Sequence, residues 1–364
     1  MAELFEIRPF EKCIEKVKYT TKVASQDFKQ SGRFPIISQE EAFISGYWDS
    51  PEDVFHISKP VVIFGDHSRH IKYIDFDFVI GADGVKILSP VDDINAKYFY
   101  YYLRWLDVPS LGYSRHFKSL KEKTVKVFPI DKQQRIVSEL DLLTDIIDKK
   151  NAQLRDLDNL AQSIFYEMFG DPSINEKGWP VVALETIAES RIGLTYKPEN
   201  VSEEGTIVLR SSNIQESEID LKDIVRVNCP IKENQYVQEG DILMCSRNGS
   251  FKLVGKVAKI GTLPERMSYG AFMTTIRSKY NPYLFEFFKL PAFRTQLGLA
   301  KTATINQITV KMLANTEVAL PPLDLQRAFE KRVASIYAQK ASIKQSMKDC
   351  QNLLDSRMLM YFND

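Results

Sequence analysis

Lys118-Ser-Leu-Lys-Glu-Lys-Thr-Val-Lys-Val-Phe-Pro-Ile-Asp-Lys-Gln133 returns 193 residues later as Lys311-Met-Leu-Ala-Asn-Thr-Glu-Val-Ala-Leu-Pro-Pro-Leu-Asp-Leu-Gln326. The shared positions are Lys118, Leu120, Val125, Pro129, Asp131 and Gln133 in the first copy. The offset persists without a gap, setting Leu160, Ser163, Phe169 and Asp171 on Leu353, Ser356, Phe362 and Asp364. After each proline, Asp131 or Asp324 stands where an N-cap acceptor is wanted, so both copies predict a helix start. Apolar residues then recur every three and four positions: Ile136, Leu140, Leu143, Ile147, Leu154, Leu157, Ala161, Ile164 and Met168. The second copy reads Phe329, Val333, Ile336, Ile343, Met347, Cys350, Leu354 and Tyr361. A seven-residue repeat of this kind keeps one seam facing a partner helix, which is the pattern of a coiled coil.

The first helix runs to about Phe169, where Gly170-Asp-Pro172 stops it, a length of roughly 50 Å at ~1.5 Å per residue. Only the segment between about 172 and 320 joins the end of helix one to the start of helix two. A compact domain of that size has a radius of about 15 Å and closely placed termini, so antiparallel packing of the helices is expected. The seam is interrupted at Lys150, Lys340 and Arg357. Long cationic side chains at such places can snorkel out, or can fix the register of the pair.

Outside the helices, short apolar runs alternate with turns. Strands are predicted near Phe34–Ser38, Val61–Gly65, Tyr73–Ala82 and Val85–Leu88, with a helix over Asn95–Trp105. The second half repeats the texture near Val181, Ile207–Leu209, Asp241–Cys245, Val254–Ile260 and Thr274–Ile276, with a helix from Asn281-Pro282. The expected class is α+β: two domains of mixed strand and helix content separated by an antiparallel coiled coil of two long helices, with a pseudo-two-fold internal repeat. The boundaries fall at 1–130, 131–171, 172–320 and 321–364.

Composition narrows the function. The chain has 364 residues, 44% of them apolar and 26% charged, with 48 basic and 48 acidic side chains. No bulk basicity advertises a polyanion, so any nucleic acid must be held by local patches. Residues 131–171 carry five basic against nine acidic residues, whereas 172–320 carry 18 against 16. An acidic helix repels phosphates, which leaves the domains as the binding surfaces. The four cysteines show no paired spacing, the N-terminus lacks a signal-peptide run, and no apolar stretch reaches the ~18 residues of a membrane span. A cytoplasmic location and no membrane partner are expected.

Catalytic motifs are absent: no G-x-G-x-x-G, G-x-S-x-G or H-E-x-x-H occurs. Gly249–Val257 has one residue too many between its glycines for a phosphate loop, and lacks Ser or Thr after Lys256. Asn281-Pro-Tyr-Leu284 misses the second proline of the amino-methyltransferase motif, and a proline opening a helix accounts for it. Asp148-Lys-Lys150 sits on the heptad helix with no second carboxylate cluster, and His67 with His70 has no further metal ligand nearby. Neither a catalytic nor a metal site is expected.

What remains are polar loops at matching places. After Val61–Gly65 come His67, Ser68, Arg69, His70 and Lys72; after Asp241–Cys245 come Arg247, Asn248 and Lys252. Later in each half stand Tyr113, Arg115, His116 and Lys118, and Thr304, Asn306 and Gln307. Ser211 and Asn213 complete the candidate set for DNA contact. Arg, Asn, Gln and His can read base edges, while Lys, Ser and Thr suit phosphates. A polar surface loop alone means little; recurrence in both halves is the signal.

Phe128-Pro-Ile-Asp-Lys-Gln-Gln-Arg-Ile136 and Leu320-Pro-Pro-Leu-Asp-Leu-Gln-Arg327 resemble the P-P-L-x-E-Q-Q-R-I helix start of the specificity (S) subunits of type I restriction-modification systems. Met168-Phe-Gly-Asp-Pro172 with Lys177-Gly-Trp-Pro180 resembles that family's helix end, and Glu239-Gly-Asp-Ile-Leu-Met-Cys-Ser-Arg247 its strand leading to DNA. Asp131 and Asp324 stand where the family often has Glu, and Leu325 breaks the second double Gln. The resemblance covers nearly the whole chain. It implies two target-recognition domains, each reading half of a split double-stranded DNA site, with the helices as a ruler between them. It also implies docking of two methyltransferase subunits and of restriction (motor-nuclease) subunits. S-adenosylmethionine, ATP and Mg would belong to those partners, and this chain would be a noncatalytic adaptor. The competing classes are a coiled-coil scaffold with terminal protein-binding domains, and a nuclease or methyltransferase fused to a recognition domain. Retention on DNA-cellulose that falls steeply with salt separates DNA binding from the scaffold.

Overall fold

The computed structural model describes residues 5–363 apart from 107, 111, 113 and 299–306. The internal repeat survives in three dimensions. Short helices Phe117–Lys121 and Val310–Ala314, and long helices Ile130–Phe169 and Leu323–Phe362 of 40 residues each, stand at the same 193-residue offset. Each long helix starts one residue before its aspartate, so Asp131 and Asp324 lie in the first turn and are not caps. The Pro129 and Pro322 carbonyls accept the first helical N–H bonds instead. A carboxylate in the first turn still suits the positive end of the helix dipole.

Contacts divide the chain by neighbourhood and not by chain order. One unit comprises residues 1–152 with 343–364, and the other residues 153–342. Each therefore holds the start of one long helix and the end of the other, which is possible only where the two run antiparallel. In the first unit Glu139 meets Arg357 at 2.8 Å and accepts a hydrogen bond from Tyr361. In the second, Glu167 meets Arg332 at 2.8 Å and Asp158 meets the buried Lys340. The guanidinium of Arg332 holds the Glu167 carboxyl below the usual carboxylate range. Lys340 and Arg357, two of the three seam interruptions, thus make cross-helix ion pairs.

The first unit carries an antiparallel sheet ordered Ile14–Glu15, Val85–Pro90, Val61–Gly65, Ile71–Ile74. A second sheet is mixed: Phe34–Ile37 and Lys22–Val23 run parallel to Phe78–Gly81, while Gly46–Trp48 and Val54–Phe55 pair antiparallel. The expected strand Tyr73–Ala82 is broken after Ile74, and its two halves serve different sheets. Helix Ala96–Trp105 follows, with the Asn95 side chain accepting from the Lys97 and Tyr98 N–H groups. The second unit repeats the antiparallel sheet as Glu189–Ile192, Met273–Arg277, Ile242–Cys245, Val257–Lys259. Another of its sheets contains Thr206–Leu209 parallel to Met267–Tyr269, a strand that sequence periodicity does not reveal. Helix Asn281–Lys289 occupies its expected place.

The long helices are not merely linkers, because their ends complete the domain cores. Ile136, Leu140 and Leu143 pack with Phe10, Phe64, Tyr98 and Phe99, joined by Leu354, Met358 and Phe362 of the second helix. Phe165 and Phe169 pack with Tyr283, Phe287 and Phe329 in the other unit. Phe165, Phe169, Met358 and Phe362 lie off the heptad seam and carry the packing onto the domains: Phe165 and Phe169 meet Tyr283 as well as Phe329 of the second long helix, and Phe362 meets Tyr98 and Tyr102. Towards the middle, Ile343, Met347 and Cys350 are only half-buried.

Matching hydrogen bonds latch the segment that leads into each long helix. The Tyr98 hydroxyl donates to the Lys126 carbonyl at 2.5 Å, and the Tyr283 hydroxyl donates to the Ala319 carbonyl at 2.6 Å. Gln133 donates to the Phe128 carbonyl at 2.7 Å, and Gln326 to the Pro321 carbonyl at 2.7 Å. Fully buried Gln133 also donates to Asp93 O and accepts from the Asn95 N–H. Replacing it with leucine orphans these groups and is expected to lower unfolding free energy by about 1–3 kcal/mol in urea titration. Gln134→Leu, at an exposed neighbour, should stay within about 0.5 kcal/mol. Equal effects at the two positions would contradict the latch. At the other end of the first helix, Gly170 takes φ +79° and its N–H donates to Tyr166 O, while the Trp179 indole donates to the Phe169 carbonyl at 2.8 Å. That gives the Lys177-Gly-Trp-Pro180 segment a physical role as a helix stop. Among the described residues, no helix is long and apolar enough to cross a membrane.

Candidate nucleic-acid interface

In each antiparallel sheet a buried strand delivers a polar loop, and a second loop from later in the chain is bonded to it. In the first unit the strand Val61–Gly65 is wholly buried and opens into residues 66–70. The loop is closed by Gly65 N to His70 O at 2.8 Å and Arg69 N to Gly65 O at 2.8 Å, with Arg69 at φ +63°. Asp66, 2% exposed, anchors the later loop: its carboxylate accepts from Phe117 N, and its carbonyl accepts from the N–H and Nδ1–H of His116. Ser68 donates to Gln39 O, and Gln39 Oε1 accepts from the His67 N–H. Gln39 is a member that sequence reasoning missed, for nothing in Ser38-Gln-Glu-Glu-Ala-Phe-Ile-Ser45 marks it.

The side chains divide into two groups. Arg69, His70, Arg115 and Lys118 are exposed, and His67 and Ser68 half-exposed, so they can meet a ligand. The Arg69 guanidinium is oriented by a bond to the Val108 carbonyl at 2.8 Å. Lys72 and His116 are buried. Lys72 donates to the carbonyls of Ser38 and Ala42, and its burial pushes its pKa down. The expectation that these two contact DNA is corrected: their polar atoms are already committed to holding loops in place. Tyr113 lies outside the described residues.

The second unit uses the same plan. Strand Ile242–Cys245 is buried along its length and opens into residues 246–250. Ser246 O accepts from Ile308 N at 2.7 Å, and Arg247 bridges to Gln307. This is the counterpart of the bond from His116 N to Asp66 O. Asn248 donates to the Ser211 hydroxyl at 3.0 Å and accepts from Ser250 N. Arg247, Asn248, Ser211 and Gln307 are therefore brought together, while Lys252 is exposed on the short turn Phe251–Leu253. Asn213 is a second correction. It is fully buried, accepting from Arg210 N and donating to the Asp220 and Asp223 carbonyls, and so has nothing left for a base. Thr304 and Asn306 lie outside the described residues. Phe272, 58% exposed beside Arg247, was not legible in the sequence.

Among the described residues these surfaces offer hydrogen-bond donors and positive charge without an adjacent nucleophile–base pair. Cys245 stands next to the second loop, but burial pushes its thiol up to about 11, which opposes thiolate chemistry.

Comparison with known proteins places these features in company. Residues 176–348 match the type I restriction modification DNA specificity domain. The chain is 27% identical over 187 residues to the specificity subunit of the type I restriction enzyme EcoKI of Escherichia coli K12, covering 49% of this chain and 40% of that one. It is 28% identical over 187 residues to the StySPI specificity subunit of Salmonella potsdam, with the same two shares. The alignments thus span about 40% of these curated relatives' length. The fold is similar to that of the type I restriction-modification S subunit from M. genitalium, with a TM-score of 0.56 and 15% identity, covering 100% of this chain and 97% of that one.

Proposed function

Since the chain belongs to the type I restriction-modification specificity subunits, we propose that it recognises a bipartite double-stranded DNA site, one half through each unit. The observation that carries this reading is the recurrence, on sheets of one design, of paired loops presenting Arg69, His70 and Arg115 in one unit and Arg247, Asn248 and Gln307 in the other. These side chains read base edges, and the cations among them serve phosphates as well. The length of the paired helices sets the gap between half-sites. The exposed helix faces dock two methyltransferase subunits, and the assembled complex takes up the restriction subunits in the cytoplasm. S-adenosylmethionine, ATP and Mg act in those partners, and this chain contributes specificity without catalysis.

Exchanging residues 1–130 for the corresponding domain of a relative should change one half of the methylated sequence in cells and leave the other half intact. A methylated sequence unaltered by the exchange would overturn the reading.

A further inference from the structure

Phe272 breaks the ordinary rule for large aromatic side chains. It is 58% exposed, although its backbone is bonded to the reading loop. It sits in the turn Gly270–Met273, closed by Met273 N to Gly270 O at 2.8 Å. Its carbonyl accepts from both Ser246 N at 2.9 Å and Arg247 N at 3.0 Å. These bonds fix the backbone of Phe272 beside the reading loop, so its ring is presented next to Arg247. Above it lies the Arg247 guanidinium, with Cζ 5.3 Å from the ring centroid. Among the described residues that guanidinium has neither a carboxylate partner nor a hydrogen-bond acceptor. Several other arginines of this unit pair with a carboxylate: Arg226 with Glu265, Arg266 with Glu233 and Arg332 with Glu167. Arg247 is held by a π-face alone, which steers its plane while leaving its N–H fork free.

The first unit makes the same sheet bond, Asp66 N to Gly84 O at 2.7 Å, but its turn offers Asp83 and Gly84 where the second offers Phe272. There Arg69 is tied to the Val108 carbonyl. The stacked pair is therefore a property of the second reader.

We infer that Arg247 and Phe272 form a preorganised guanine reader in the second unit, the guanidinium fork donating to O6 and N7 of a guanine while the phenyl ring packs against the neighbouring base. A free planar fork matches those two acceptors, and an exposed ring gains apolar and stacking contact that water does not supply. This rests on the DNA-reading function proposed above and names a base for one of its halves.

The test is a genome-wide methylation map in the source cells carrying the wild-type gene or variants. Arg247→Lys keeps the charge but loses the fork and the stacking geometry. It should relax one G·C position in one half-site, with discrimination there falling roughly 5- to 150-fold. Phe272→Leu should weaken discrimination at that same position, and Phe272→Trp should preserve it. Both residues are exposed, so thermal melting of each variant chain should match wild type. Three outcomes overturn the inference: an affected half-site without any G·C pair, an unchanged motif in Arg247→Lys, or uniform loss of methylation at an unchanged motif, which marks a phosphate contact. In each of those cases the effect of exchanging residues 172–320 tells whether DNA reading itself stands: a motif that survives that exchange removes both proposals.

Discussion

Truncation of Phe165 to alanine should unfold the second unit far more readily, at a cost of about 3–5 kcal/mol. Phe165 is fully buried, with ring centroids of Phe169, Tyr283 and Phe329 at 4.9, 5.3 and 5.8 Å. These partners come from its own helix, from the domain helix Asn281–Lys289, and from the second long helix. One ring therefore joins three elements, and its removal leaves a cavity that rigid neighbours cannot close. Guanidinium titration followed through Trp179, with the other tryptophans replaced, reports this unit. Leu160→Ala on the same helix removes a half-exposed side chain and should change stability by no more than about 0.5 kcal/mol. Comparable costs for the two substitutions would refute the claim that the long helix is part of the domain core.

Asp241→Ala should cost about 2–3 kcal/mol and erase discrimination by the second unit. The carboxylate is 1% exposed, accepting from the Gln238 N–H at 2.8 Å and from Arg277 Nε and Nη2 at 2.7 Å each. Loss of one partner of a buried ion pair costs about 3–5 kcal/mol; Arg277 is about a third exposed, so water recovers part of its hydrogen bonding and the expected figure is lower. Asp241 fixes the start of the strand Ile242–Cys245, whose far end delivers Ser246 and Arg247. A slip by one residue would send every side chain of that strand to the opposite face. Denaturation and methylation mapping on the same variant should show both losses. Wild-type stability, or an intact motif for the second half-site, would show that Asp241 does not set the register.

Much of this was legible before any coordinates. The 193-residue offset places both long helices, because a helix start is local chemistry: a proline, a first-turn carboxylate and apolar residues at three- and four-residue spacing; the short helices Phe117–Lys121 and Val310–Ala314 were not expected. Even Gln133 could have been read as buried, since it continues the seam one turn before Ile136. Where the repeat loses its offset, sequence reasoning loses detail. Tyr98 and Tyr283 do the same work but stand 185 residues apart, so no sliding comparison finds them.

The candidate contacts divide along the same line. Residue type identified polar loops, and exposure decided among their members. Lys72, His116 and Asn213 have the side chains of DNA contacts but are enclosed by the carbonyls and N–H groups of neighbouring loops, partners 3 to 50 residues away that composition cannot name. Phe272 reads in sequence as one more apolar residue bound for a core. By itself the sequence determined the duplication, the long helices and the family resemblance, because these depend on periodicity and local capping. Only the tertiary structure decided which loops meet, which of their side chains face outward, and that helix ends of opposite polarity share each core, because burial and hydrogen bonding are settled by residues remote in the chain.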